Sequence, residues 1–150
     1  MSTIFADKFK NTSGGNPVQI NQLRGIDTAG SITVQGEGTA TTNLQQGLAK
    51  QWVNLNGSGT AAVTDSFNNS SMIDTTTGNY TTNITSNMSN TTYAVPTGGA
   101  YDEDNASAYA LQGCASLGKT TSSYVMHCGS NTTAAMDWEY VVGSILGDLA

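Results

Sequence analysis

The 150-residue chain has little charge and few of the residues that usually build chemical sites. Asp, Glu, Lys and Arg make up 11% of it, against about 25% in ordinary soluble domains. It contains one histidine, two cysteines and two prolines. So few prolines exclude a proline-rich linker, and no apolar run approaches the ~18 residues of a membrane span. Thr, Ser and Asn are abundant instead, and they favour strands and turns over helices.

The charge that is present is unevenly distributed. Residues 1–50 hold four of the five Lys and Arg and three of the eleven Asp and Glu, so residues 51–150 hold only Lys119 against eight acids. Nucleic acids and anionic membranes are bound through clustered cations, so neither is expected as a partner. The first residues also lack the apolar core of a secretory signal, and assembly in a cytoplasm is expected.

The two cysteines, Cys114 and Cys128, admit a disulfide or two free thiols. A reducing compartment favours two buried free thiols. A structural zinc site needs four ligands, and on a strand His127 would point to the opposite face from its neighbour Cys128. Neither a metal ion nor another cofactor is therefore expected.

The clearest helical pattern covers residues 41–56. Four apolar side chains there step by four, four and three residues, which places them on one helical face: Leu44, Leu48, Trp52 and Leu55. A helix this short with Gly47 in its interior is marginal alone in water. It is expected to pack either on its own chain's sheet or against identical copies around a symmetry axis.

The pattern of residues 57–150 predicts a mainly β fold in the form of an antiparallel β-sandwich-like domain. Short β runs alternate with turn clusters at roughly 8–12-residue spacing. In one run Tyr80, Thr82 and Ile84 share a face. Four residues of the run 136–146 are predicted to share another: Trp138, Tyr140, Val142 and Ser144.

Residues 1–40 contain too few apolar groups to close a core alone. They are interpreted as an extended N-terminal attachment arm that lies against another chain or the rest of its own. Its apolar anchors would be Phe5, Phe9, Val18 and Ile20. The predicted organisation is an arm (1–40), a helix (41–56) and a β domain (57–150).

Four stretches carry a family resemblance: ADKFKNTSGGNPVQINQLRG, TTNLQQGLAKQWVNLNG, DSFNNSSMIDTTTGNYTTNIT with SNMSNTTYAV, and the ending GDLA. They resemble tail-fibre-like structural proteins of marine tailed bacteriophages, the podovirus-type phages of cyanobacteria and their relatives. The resemblance covers essentially the whole chain and is strongest over residues 65–95. It implies a homotrimer with an attachment part, a helical trimerisation segment and a C-terminal β domain.

The function implied by the resemblance is that of a non-enzymatic virion protein, a trimeric tail fibre or fibre tip that attaches to the host cell surface. Leu44, Leu48, Trp52 and Leu55 would form the trimer interface. The arm would bind another virion structural protein, and the fibre would bind polysaccharide or protein on the host surface. The alternative is a head fibre or capsid decoration protein docked on the capsid by its arm.

Candidate chemical sites are few. No GxSxG turn surrounds a serine, so a hydrolase is not expected, and a depolymerase built on a β-helix would need a longer chain. The acidic run of residues 102–105 lacks the spacing of a calcium loop and is interpreted as a solvated turn. Tyr101, Asp102 and Asn105 are the predicted receptor contacts, because an exposed aromatic ring beside polar groups suits a sugar. Tyr124 and Tyr140 are predicted to lie in the core.

Overall fold

The chain is mainly β. The computed structural model describes residues 22, 32–35, 38–100, 114–129 and 135–150. One helical turn, α1 (Leu44–Gly47), accompanies ten strands in antiparallel pairs. The strands are β1 (Thr33–Gln35), β2 (Thr41–Asn43), β3 (Ala49–Asn56), β4 (Ala62–Phe67), β5 (Asn69–Thr76), β6 (Asn79–Ile84), β7 (Thr97–Ala100), β8 (Cys114–Leu117), β9 (Ser123–Cys128) and β10 (Tyr140–Leu146).

Two four-stranded sheets form the body of the described structure. The first has the strand order β4-β3-β10-β7 and the second the order β5-β6-β9-β8, while β1 and β2 pair as a separate hairpin. The chain passes from the first sheet to the second at Asn68, which has a φ of 54°. Asparagine adopts this left-handed conformation more readily than most residues. The Asn68 amide also donates to the carbonyl oxygen of Lys50 at 2.8 Å.

The two sheets pack face to face as a β-sandwich, and inward and outward side chains alternate along β6, β9 and β10. One contiguous core joins them. Trp138 fills the core near one end, beside Gly99, whereas Met88 and Tyr93 pack near Gly147 at the other. The buried apolar residues of the strands are Val53, Leu55, Val141 and Ile145 from the first sheet and Tyr80, Ile84, Tyr124, Met126 and Cys128 from the second.

Side chains of the second sheet pack closely against the first sheet at Gly143 of β10. A Cβ atom at this position would lie 2.8 Å from the Met126 sulfur and 2.8 Å from the Tyr124 hydroxyl oxygen. These two side chains belong to β9, and they occupy the space that a β10 side chain would need. Glycine is therefore required at this point of the central strand for the two sheets to meet.

A carboxylate ties the turn between β5 and β6 to the segment that precedes β10. Asp137 accepts a hydrogen bond from the backbone N–H of Gly78 at 2.7 Å and another from the Tyr80 hydroxyl at 3.0 Å. Hydrogen bonds to an ionised acceptor are stronger than those between neutral groups. Both partners are buried, so this contact holds one end of the sandwich together.

The predicted four-turn helix over residues 41–56 is wrong for its second half. Residues 49–56 form β3, and only the four residues of α1 are helical. Because strand side chains alternate between faces, Leu55 is fully buried in the core while Trp52 is 37% exposed on the outside. Since β3 pairs with both β4 and β10, the sandwich begins before the predicted domain boundary at residue 57.

Local alternation predicted other strands correctly. Tyr80, Thr82 and Ile84 face inward together, and Tyr124 lies in the core as expected. The prediction that Tyr140 lies in the core is wrong, since its side chain is 38% exposed. Trp138 does not share its face either, because β10 begins only at Tyr140 and Trp138 turns into the core before it.

The expectation of two free thiols is wrong, because Cys128 is disulfide-bonded. The two cysteines of the sequence occupy adjacent antiparallel strands, and the backbone of Cys114 lies directly opposite that of Cys128. The hairpin reverses after β8 at Gly118, which has a φ of 52°. Residue spacing alone does not reveal this register, because it depends on where the turn falls.

We expect Gly143→Ala to lower the free energy of unfolding by about 1–3 kcal/mol, the usual cost of overpacking a core. The control is Gly98→Ala on neighbouring β7, where the closest side-chain atom to the new Cβ would be Val142 Cγ2 at 3.6 Å. The control should stay within about 0.5 kcal/mol of the unmodified chain. Urea unfolding measures both, and equal losses would contradict the close approach.

Reduction of the disulfide is expected to lower the free energy of unfolding by about 3 kcal/mol, the value for a closed loop of about 15 residues. Urea unfolding with and without a phosphine reductant measures the difference. Cys128→Ser is the control and should not respond to the reductant. Peptide mapping should find residues 114 and 128 linked, and an unchanged midpoint in the unmodified chain on reduction would refute the prediction.

Candidate binding face

The outer face of the first sheet carries a group of large apolar side chains that solvent reaches. We call this group the aromatic face. Its members are between 37% and 53% exposed: Trp52, Phe67, Tyr140, Val142 and Leu146. The larger exposed apolar patches of monomeric proteins are often functional.

The strand register brings the aromatic face together. Trp52 on β3 lies directly opposite Phe67 on β4 and, on its other side, directly opposite Ser144 on β10. Asn54, two residues along β3, lies opposite Val142. Directly opposed residues of antiparallel strands have Cβ atoms about 4.5–5.5 Å apart, so these side chains of β3, β4 and β10 adjoin one another.

A shallow groove of about 500 Å³ crosses the middle of the aromatic face. Strand β7 forms one side of the groove. Gly98 on this strand has no side chain, so the sheet surface stays open there. The groove combines apolar carbon with amide and hydroxyl groups. It is lined by Trp52, Val53, Asn54, Pro96, Thr97, Gly98, Val142, Gly143 and Ser144.

None of the nine residues that line the groove is charged. Among the residues that the structure describes, Asp65 on β4 is exposed and lies opposite Asn54, which lines the groove. Lys50 is only 5% exposed and donates from Nζ to the carbonyl oxygen of Leu48 at 3.0 Å, and burial lowers its pKa. Lys119 donates to the carbonyl oxygen of Tyr93 at 3.0 Å. The groove is therefore neutral and its border is acidic.

A buried hydrogen bond supports the groove from beneath. The Tyr124 hydroxyl donates to Gln51 Oε1 at 3.0 Å, and both side chains are completely buried between the sheets. Burial raises the pKa of Tyr124. Because Gln51 immediately precedes Trp52 and Tyr124 contacts Gly143, this bond holds β3 and β10 where the groove lies.

The predicted site residues fall in several places. The predicted trimer contacts do not form one stripe: Leu44 is half-buried in α1, Leu48 is exposed after it, Trp52 lies on the aromatic face and Leu55 lies in the core. The predicted receptor contacts and arm anchors lie outside the described residues, namely Tyr101, Asp102, Asn105, Phe5, Phe9, Val18 and Ile20.

Sequence reasoning missed the aromatic face although part of its signal was present. Tyr140, Val142 and Ser144 were correctly predicted to share a face of one strand, and in the structure that face points outward. The helical interpretation of residues 41–56 hid Trp52, which is their neighbour on β3. Period-two alternation of Gln51, Val53 and Leu55 against Trp52 was the signal that could have found it.

Comparison with known proteins finds no matching family model, no matching curated protein and no matching solved structure. Within the described ranges, no three side chains of His, Cys, Asp or Glu come together to hold a metal ion. Among the same residues, no helix has the length and apolar character to cross a membrane.

The buried tyrosines predict a loss of stability at alkaline pH. Burial raises the pKa of Tyr80, reinforced by its hydrogen bond to Asp137, and burial also raises that of Tyr124, both from an ordinary value of 10.0. Their contribution is fully present below pH 10 and is lost as the pH rises above it, because the unfolded chain then releases protons that the folded chain retains.

We expect the free energy of unfolding to fall by up to about 1.4 kcal/mol per pH unit for each such tyrosine above pH ~10. Tyr124→Phe should make the decline shallower, although it also costs about 1–3 kcal/mol at neutral pH by leaving Gln51 Oε1 unpaired. Urea unfolding at a series of pH values gives both slopes. Identical slopes for the two proteins would contradict the prediction.

Proposed function

We propose that this chain is a non-enzymatic structural protein of a bacteriophage virion, a trimeric tail fibre or fibre tip that attaches to the host cell surface. The aromatic face is the observation that carries the proposal. A small sandwich that leaves Trp52, Phe67 and Tyr140 partly exposed on one side of one sheet has a surface suited to contact. The sequence resemblance to phage fibre proteins supplies the virion context.

Contact surfaces are typically rich in aromatic residues and poor in charge at their centre. The aromatic face follows this pattern, since its neutral groove is bordered by Asp65. Aromatic side chains also contribute large contact areas at low conformational cost. This composition supports an attachment role for the first sheet.

A different part of the chain is suited to trimer formation. The resemblance implies a trimerisation segment over residues 41–56, which begin with β2 and α1, and β1 pairs with β2 there. Here Val34 is 52% exposed and Leu48 is 54% exposed, while Leu44 is half-buried. A hydrogen bond of 2.6 Å from Gln46 Nε2 to Asp148 Oδ1 connects α1 to the end of the sandwich. We assign the trimer contact to this apolar group.

We expect Leu48→Asp to convert the trimer into monomers, because a carboxylate would be buried without a partner where three chains meet. Sedimentation should then give the 15.5 kDa mass of one chain, against three times that mass for the unmodified protein. Ile73→Asp is the matched control, because Ile73 on the outer face of the second sheet is also 54% exposed. A monomeric unmodified protein, or equal dissociation of both variants, would refute the assignment.

Location on the particle tests the virion role and separates it from the alternative. Labelled antibody and electron microscopy should place the protein on the tail, whereas label on the head would favour a head fibre or capsid decoration protein. The non-enzymatic part has its own test: purified protein incubated with host polysaccharide should produce no new reducing ends. New reducing ends would show a depolymerase instead.

A further inference from the structure

We infer that the groove on the aromatic face binds a short stretch of neutral carbohydrate, with Trp52 as its stacking platform. The inference deepens the proposed attachment role and rests on it for its biological meaning. It assigns the ligand to the first sheet and to residues that the sequence prediction did not include among the receptor contacts. Binding by purified protein can be measured whatever the location of the protein on a particle.

The chemistry of the groove matches that of a pyranose ring. Such a ring has an apolar C–H face and a rim of hydroxyl groups, so it is recognised by an aromatic surface flanked by uncharged donors and acceptors. Trp52 and Val142 supply the apolar surface. The Asn54 amide can both donate and accept, as can the Ser144 hydroxyl, and the register places these two groups on either side of the line from Trp52 to Val142.

The size of the groove fits a small ligand. Its volume of about 500 Å³ lies within the range of about 300–1,000 Å³ found for small-ligand sites.

The electrostatics favour a neutral sugar. Among the described residues, no cation lines the groove, so a uronate, sialate or phosphorylated sugar would enter without a counter-charge from them and would lose its hydration. Asp65 at the border and the net charge of −6 would repel an anion further. An uncharged hexose avoids both costs.

The distribution of tryptophan makes the binding measurable. The sequence has two tryptophans, and Trp52 is 37% exposed whereas Trp138 is completely buried. A sugar in the groove should therefore change the emission of Trp52 and leave that of Trp138 as an internal reference. The probes are maltohexaose, cellohexaose and laminarihexaose, titrated to about 10 mM so that dissociation constants near 1 mM are detected.

Two variants test the site in different ways. Gly98→Val fills the groove at a position where an added Cβ meets only ordinary contacts, so the sandwich should fold and Trp52 should still report. We expect at least a tenfold loss of affinity. Trp52→Ala removes the platform and should cost a similar factor by calorimetry. Ile73→Ala, on the outer face of the second sheet, is the control and should bind like the unmodified protein.

A saturable emission change with at least one neutral hexaose, lost in Gly98→Val and kept in Ile73→Ala, supports the inference. No change with any of the three probes overturns it, and so does tighter binding of an oligogalacturonate than of every neutral probe. A trimer that dissociates in Gly98→Val also overturns it, because the groove would then be an interface between copies. Particle labelling is independent of all these results, so the virion role can fail while carbohydrate binding stands, and the reverse.

Discussion

The close approach of β10 to β9 at Gly143 is the contact on which the rest of the described structure depends. With no side chain there, Tyr124 reaches across the core, and its buried hydroxyl must find an acceptor. Gln51 on β3 supplies one at 3.0 Å. Because strand side chains alternate, an inward Gln51 fixes Trp52 outward, and a one-residue slip would reverse both. The packing of the core thus determines which ring lies on the surface.

The misassigned helix shows why a local pattern was insufficient. Leu44, Leu48, Trp52 and Leu55 fit a helical stripe, but the inward face of β3 begins with the polar Gln51, which weakens the strand alternation that Val53 and Leu55 continue. The Gln51 side-chain oxygen accepts a hydrogen bond from the Tyr124 hydroxyl, which lies 73 residues away in the sequence. A polar residue at the start of the inward face weakens the alternation of apolar and polar residues that marks a strand.

The difference between signals within one strand and signals that depend on strand pairing also explains which other predictions were correct. Tyr80, Thr82 and Ile84 were assigned correctly because all three inward positions lie on one strand, so the signal is local. The disulfide and the groove each depend on pairing between strands. The position of Cys128 opposite its partner depends on the register of β8 with β9. The groove beside Trp52 depends on the pairing of β3 with β4 and β10, and of β10 with β7. Sequence patterns therefore predicted the β class and several faces, whereas the composition of the site required the strand order.

The outer faces of the two sheets differ in how their polar groups are satisfied, and this difference favours the first sheet for recognition. On the second sheet, side chains bond to one another: Asn83 to Ser71 at 3.0 Å, Thr75 with Thr81 at 3.2 Å and Asn79 to Thr76 at 2.9 Å. A ligand there would have to replace existing bonds, which reduces the net gain. The aromatic face instead offers partly exposed rings around a neutral groove, where contact removes apolar surface from water. This contrast supports the first sheet as the contact surface in the proposed attachment role.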